Sequence, residues 1–471
     1  MSLLKSERFA ANARAAIADA KLQAALVNIR TMFQSGRARQ VAATPEFEDL
    51  RDAGAALKRE TLANLDAYLA RFIAAAEARG AKVHLCADAR SARETIAAIC
   101  RERGAKLVTK GKSMVTEEIG LNPYLIEQGF TPVETDLGEY IIQLRNEPPS
   151  HIIAPAVHVK KEQVAETFRA AHSELPADRD LSTHDSLLAE ARAELRARFL
   201  SADVGITGAN MLIAETGQMV LVTNEGNGDL TQTLPKCHVV VASLEKLVPT
   251  LDDAATVLRL LGRSATGQHA SSYTTLSVGT RRADELDGPE AAHVVIVDNG
   301  RSAMLDTPFE EMLRCIRCGA CMNHCPVFVT VGGHAYGSVY VGPMGSVLTP
   351  LLQELDSARY LPHACTMCGR CAEVCPMEIP LPDLLRRLRF QTHDRKLTSR
   401  VSRAGLAAWT FLAERPRLMR AASRFGGWAM RLSGKGALRH WPLAGEWTRA
   451  RDLPAPEGGG FVARANANRG D

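Results

Sequence analysis

Of 471 residues, 46% are hydrophobic and 23% charged, which allows a large core in two or three domains and excludes a wholly disordered chain. The 57 basic and 53 acidic residues leave a formal charge of +4, too little to point to nucleic acid as a partner. Eleven cysteines, with no continuous apolar h-region in Met1 to Arg30, argue against a disulfide scaffold and for reduced, metal-binding thiolates in the cytoplasm.

Residues 1 to about 80 read as helical, with Leu57, Leu62, Leu65, Tyr68, Leu69 and Phe72 roughly following a 3.6 period. Short apolar runs then predict strands at Val83–Cys86, Leu107–Val108, Tyr140–Leu144, Met211–Ala214, Met219–Val222, Val239–Ala242 and Val294–Val297. Helices are expected among them at Ser91–Glu102 and Asp252–Leu261. This alternation implies an α/β domain with a largely parallel sheet, ending near Arg301. Within it Cys86, Cys100 and Cys237 have no metal spacing and are given no role, and Cys86 and Cys237, in apolar strand-like runs, read as small buried hydrophobes. No window approaches eighteen uninterrupted apolar residues, so no membrane span is expected.

Two cysteine motifs follow the α/β region. Cys315, Cys318, Cys321 and Cys325-Pro326 repeat the spacing of Cys365, Cys368, Cys371 and Cys375-Pro376, the C-x2-C-x2-C-x3-C-P pattern of bacterial-type 4Fe-4S sites. Three thiolates two residues apart let one tight loop wrap three corners of a cubane, and Gly319 and Gly369 permit close backbone approach. In two-cluster proteins the fourth cysteine of each motif serves the other cluster. The expected ligand sets are therefore Cys315, Cys318, Cys321 and Cys375 for one 4Fe-4S cluster, and Cys365, Cys368, Cys371 and Cys325 for the second. Zinc also uses paired C-x2-C elements, but it needs neither the third cysteine nor the following Cys-Pro. Between the motifs, Met344–Leu355 reads as a short helix after a turn at Gly342-Pro343, which suggests a helical ferredoxin module. His324, His334 and His363 lie nearby and read as capping or surface residues.

Other features carry weaker signals. Two strands around a turn at Glu215-Thr216-Gly217 lead into the Gly-rich stretch Asn224 to Gly228, which reads as a turn or an anion-binding loop. Lys110-Gly-Lys112-Ser113 resembles a loop entering a helix capped by Ser113 or Thr116, with Glu117 and Glu118 in the first turn. A glutamate nucleophile at Glu117, Glu118 or Glu215 is conceivable, yet nothing local marks one as activated. From Arg386 to Arg451 there are 16 Lys and Arg against only Asp394, Glu414 and Glu446. This basic helical tail carries Trp409, Trp428, Trp441 and Trp447. It suits an acidic membrane surface, a partner subunit or the acidic body of the chain, with Pro416 and Pro442 interrupting any long amphipathic face. The end, Glu457 to Asp471, reads as disordered.

Taken together, Lys112-Ser-Met-Val-Thr-Glu117, Ala214-Glu-Thr-Gly217, Thr223-Asn-Glu-Gly-Asn-Gly228, Thr233-Leu-Pro-Lys236, Asp287-Gly-Pro289, Asp298-Asn-Gly-Arg301 and Gly332-Gly-His-Ala-Tyr336 resemble the lactate-utilisation iron-sulfur protein B family. The stretch Ser277-Val-Gly-Thr-Arg281 departs from the family pattern. The resemblance covers nearly the whole chain and implies a CoA-transferase/isomerase-like α/β domain within residues 1–300. A helical dicluster 4Fe-4S ferredoxin domain at 301–390 and a basic helical extension at 391–471 would follow. It also implies electron transfer in nicotinamide-independent oxidation of L-lactate to pyruvate, with companion subunits, one of them cysteine-rich. Electrons would then pass to a downstream acceptor such as a membrane quinone or cytochrome, from a cytoplasmic protein peripheral to the inner face of the membrane. The alternatives are an acyl- or CoA-handling enzyme with an appended ferredoxin, and an electron-transfer subunit of another hydroxy-acid oxidoreductase. No residue is assigned a catalytic role.

Overall fold

Strands β7 (Cys237–Ser243) and β10 (Ala291–Val297) are buried along their whole length, so their sheet has both faces covered. Their side chains alternate between two cores. Val239 and Val241 of β7 and Val295 and Val297 of β10 join Ile96, Ile99 and Leu125 on one face. On the other, Val240, Ala242, Val294 and Ile296 pack with Phe72, Ala76 and Leu212.

The computed structural model describes residues 5–432, 437–438 and 451–454. Six parallel strands form the main sheet: β1 (Ala81–Cys86), β2 (Leu107–Lys110), β3 (Thr131–Glu134), β4 (Val204–Gly208), β7 and β10, in the order β1-β10-β7-β4-β2-β3. Strands β5 (Met211–Ile213), β6 (Met219–Thr223), β8 (Leu247–Val248) and β9 (Tyr273–Ser277) make a second sheet ordered β8-β5-β6-β9. The expected turn between β5 and β6 is present, with Gly217 in the left-handed region at φ 69°.

Capping fixes the helix starts. Asp88 accepts from the Ser91 N–H ahead of helix Ala89–Glu102, and Thr250 and Asp253 cap each other ahead of Leu251–Ala265. The same chemistry overturns one expected strand, because Tyr140–Leu144 lies in helix Leu137–Leu144. Asp136 accepts from the Glu139 N–H, and the buried Tyr140 and Ile141 are core residues of that helix, packed with Val133 of β3 and Phe168. Helix Gly342–Leu352 likewise starts at the Gly342-Pro343 pair rather than after it.

The chain folds into two compact units, Met1–Thr392 and His393–Asp471. Within the first, helices Phe9–Ala18 and Ala20–Asn28 pack on the cysteine region. Phe9 meets Tyr336 edge-on at 5.3 Å, and Gln23 donates to the Thr330 carbonyl at 2.9 Å. The second unit contains helices Arg400–Ala413 and Pro416–Leu432, with Trp409, Phe411, Phe425 and Trp428 exposed. Pro416 opens the second of these helices, as its fixed φ allows, and the break before it interrupts a long continuous face, as expected. Pro442, Trp441, Trp447 and the Glu457 to Asp471 stretch lie outside the described residues. Among the described residues, no helix is long and apolar enough to cross a membrane.

Candidate cluster-binding site and adjoining cavity

The two cysteine loops repeat one backbone design. Arg317 and Met367 each precede the second cysteine with φ near +60°, at 59° and 58°. Gly319 and Gly369 follow it at 75° and 82°. Short helices Ala320–Asn323 and Arg370–Glu373 then carry the third cysteine. Two left-handed positions flanking the second cysteine turn each loop around the space beside its thiols, and bulky residues in that region carry a cost of order 1–3 kcal/mol.

Cys315, Cys318, Cys321 and Cys375 line one small cavity, closed by apolar side chains including Ile152, Met312, Ile316 and Met344. Cys325 instead belongs with the second loop, where it interacts electrostatically with Cys365, Cys368 and Cys371. Burial pushes the Cys371 thiol up to about 12, and the neighbouring Cys365 and Cys325 push it the same way. Cys318 and Cys321 are raised by burial and then by the cysteines around them. Thiolates crowded in low dielectric repel, so each quartet suits a partner carrying several positive charges, as an iron–sulfur core does. The donor set and its apolar enclosure fit such a group. Around it, the Met367 N–H donates to Cys365 Sγ at 3.2 Å and the Ile379 N–H to Cys375 Sγ at 3.5 Å.

Arginines anchor the backbone of the second motif. Arg37 donates to the Val374 carbonyl at 3.1 Å, Arg51 to that of Cys375 at 3.1 Å, and Arg389 to that of Cys365 at 2.8 Å. The three nearby histidines hold structure: His324 pairs with the Ala320 carbonyl, His334 with that of Pro148, and His363 with the Thr392 hydroxyl. Cys86 and Cys237 are buried in the apolar core, as expected, and so is Cys100.

Motif spacing gave no sign of the ionic network behind the first loop. Buried Glu245 faces Arg301 and Arg317, each at 2.8 Å. Burial alone would raise its carboxyl, but the two guanidiniums hold it down at about 2. Arg301 also clasps Glu118 at 2.6 and 2.8 Å, and the Tyr340 hydroxyl donates to Glu118 at 2.6 Å. Lys58 donates to the carbonyls of Glu245 and Leu247. Arg317 lies within the first motif, but Lys58, Glu118, Glu245, Arg301 and Tyr340 sit at no recognisable interval from the cysteines, and their shared burial reveals the group.

Beside this network lies a cavity of about 520 Å³ at the carboxyl ends of β2 and β4. Lys112, Asp136, Asn227, Lys246, Arg317 and Tyr340 are among its lining residues. The Gly-rich stretch contributes Asn224, Glu225, Asn227 and Gly228 to this wall, and its second half forms the start of helix Asn227–Thr233. Ser113 is the cap of helix Met114–Glu118, as expected, while Lys112 reaches Asp136 at 3.4 Å and donates to the Ile153 carbonyl. Lys110 is taken up internally by Glu134 at 2.7 Å and Glu117 at 3.1 Å. The three candidate glutamates are all engaged: Glu117 by Lys110, Glu118 by Arg301 and Tyr340, and Glu215 by the Leu251 N–H.

A parallel α/β domain joined to paired cysteine loops defines an iron–sulfur protein of the electron-transport class. In agreement, the family model for a 4Fe-4S dicluster domain matches residues 311–379, and that for a LUD domain matches residues 69–297. The chain is 42% identical over 450 residues to lactate utilization protein B of Oceanobacillus iheyensis, covering 92% of this chain and 91% of the relative. It is 41% identical to the protein of that name from Lysinibacillus sphaericus, covering 93% and 92%. An uncharacterized electron transport protein of Escherichia coli, YkgF, is 38% identical over 457 residues, covering 96% and 95%. The chain belongs to the lactate utilization protein B family.

Proposed function

We propose that this protein is the iron–sulfur electron-transfer component of a nicotinamide-independent system oxidising L-lactate to pyruvate. In this reading Cys315, Cys318, Cys321 and Cys375 hold one 4Fe-4S cluster, and Cys365, Cys368, Cys371 and Cys325 hold a second. Bound there, such groups supply one-electron transfer. The chain itself supplies thiolates, an apolar enclosure, and backbone N–H donors to Cys365 and Cys375. The observation that carries the reading is the position of Cys375, which lines the first loop's cavity with Cys315, Cys318 and Cys321 although it lies in the second motif. The names of the relatives support the lactate context.

The domain limits proposed are 1–300, 301–390 and 391–471. Companion subunits, one of them cysteine-rich, would deliver substrate chemistry, and a membrane quinone or cytochrome would accept the electrons. Exposed Trp409, Phe411, Phe425 and Trp428 on helices rich in arginine support peripheral association with the inner face of a membrane. The rival reading, a CoA-handling enzyme with a glutamyl nucleophile, is weakened by the engagement of Glu117, Glu118 and Glu215.

The test is anaerobic addition of L-lactate to the chain alone and with its companions, followed by visible bleaching and low-temperature EPR. Reduction only in the assembled system is the expected result. Failure of lactate to reduce the iron–sulfur centres even there would remove the substrate assignment.

A further inference from the structure

The main sheet changes direction at β2 and β4. From β2 the chain moves outward to β3, whereas from β4 it proceeds toward β7 on the other side. Crevices at the carboxyl ends of such diverging strands are where open α/β sheets receive ligands. Here the 520 Å³ cavity occupies that position, lined by Lys112 and Ser113 after β2 and by Gly208 and Asn210 at and beyond the end of β4.

One end of the cavity is cationic. Lys246 and Arg317 line it there, and behind them Lys58 and Arg301 stand with the carboxylates of Glu118 and Glu245, four positive groups to two negative ones. Lys246 lines the cavity with only 9% of its surface exposed. Among the described residues, its ammonium has neither a hydrogen-bond nor an ion-pair partner. Burial, with Arg317 next, lowers it to about 8. Arg317, whose side chain is also 9% exposed and lies over the Tyr340 ring, gives Nη2 to Glu245 while buried Nη1 has no hydrogen-bond partner. Asn227 Oδ1 is a second buried polar atom on the lining without a hydrogen-bond partner. Unpaired buried donors cost stability unless something occupies the site. At the opposite charge, Lys112 already neutralises Asp136, and Glu225 lines the cavity as well.

We propose that this cavity is a binding site for a small organic carboxylate, anchored by Lys246 and Arg317. Resting on the function proposed above, its class is a 2-hydroxy or 2-oxo acid, with Asn227 available to a hydroxyl or a bound water. Arg317 and Ile152 line both this cavity and the pocket of Cys315, Cys318, Cys321 and Cys375. A ligand held there is separated from the first thiolate quartet by a single layer of side chains.

The test uses the full chain, purified anaerobically with its iron, titrated calorimetrically with pyruvate, L-lactate, acetate and inorganic phosphate. Pyruvate or lactate should bind, and Lys246→Gln should weaken binding about tenfold or more while iron content and thermal midpoint hold. Lys236→Gln, which alters an exposed lysine, should leave binding unchanged. Independently of any variant, pyruvate should slow amide exchange at 207–210 and 223–228. Binding of phosphate alone, unaltered affinity in Lys246→Gln, or a changed potential of the iron–sulfur centre with unchanged binding would each overturn the proposal. If pyruvate binds but lactate never reduces the assembled system, the site stands and the lactate-oxidising function falls. The reverse result removes the site and leaves that function.

Discussion

The two cysteine loops share a backbone but not an environment. Around the first, Ile316 and Cys318 are buried, and Arg317 points into an ionic network shared with the α/β region. Around the second, Cys368 and Thr366 are exposed, and Met367 stands where Arg317 stands in the first. A duplicated cysteine motif is thus set in two different surroundings. The inner loop adjoins a ligand-sized cavity, and the outer one is open to whatever docks on it. If electrons move through both, the geometry suits entry at the inner quartet and exit at the outer.

The largest effects should come from breaking the pairing of quartets. Serine in place of Cys368 or of Cys325 is expected to remove the same centre, leaving about half the iron and one of two EPR signals. Serine at Cys318 or Cys375 should remove the other. Loss of different signals in Cys368→Ser and Cys325→Ser would disprove the exchange of fourth ligands. Because Cys368 is exposed, its variant should also keep the α/β region folded, as circular dichroism would report.

Next in size is the network that only the inner loop possesses. Glu245→Gln leaves Arg301 and Arg317 buried without their shared carboxylate and should cost about 3 kcal/mol in denaturant unfolding. Met367→Gln, at the matching outer position, should cost below about 1 kcal/mol. The sign with pH follows from the Glu245 carboxyl, held down at about 2 by the two arginines. Since the folded value lies below the unfolded one, this stabilisation is complete above roughly pH 5 and disappears as pH falls toward 2. Equal losses in the two variants would mean that the network adds nothing specific to the inner loop.

What the sequence made legible follows from how local each signal is. Ligand spacing is a local property, so the cysteine loops and their glycines could be read directly. Helix caps such as Ser113 and buried strands such as Val294–Val297 were equally local. Strands β3 and β4 escaped because Pro132 and the glycines Gly205 and Gly208 weaken the strand pattern. Gly205 has a tertiary reason: a Cβ there would lie 1.8 Å from the Thr231 carbonyl oxygen. Tyr140–Leu144 was misread since a short apolar run fits a buried helix as well as a strand. The cavity and its network join residues as distant as Lys58, Glu118, Glu245, Arg301 and Tyr340, and no interval in the chain encodes their meeting.

The finest probe of the comparison is the pair of loop glycines. Both have positive φ, so alanine is strained at either, by about 1 kcal/mol from backbone conformation alone. At Gly369 a Cβ would meet nothing within 4 Å, and the backbone cost should be the whole effect. At Gly319 it would lie 3.3 Å from Ile153 Cγ1 and 3.6 Å from His151 Cε1. Those neighbours are themselves tied down, because His151 pairs with Asn323 at 2.7 Å and accepts from the Ile153 N–H at 3.0 Å. Gly319→Ala should therefore cost about 2 kcal/mol, roughly twice its counterpart, in parallel denaturant titrations. A Gly319→Ala loss no larger than that of Gly369→Ala would show that the 151–153 segment yields freely, and that the inner loop is held no more tightly than the outer.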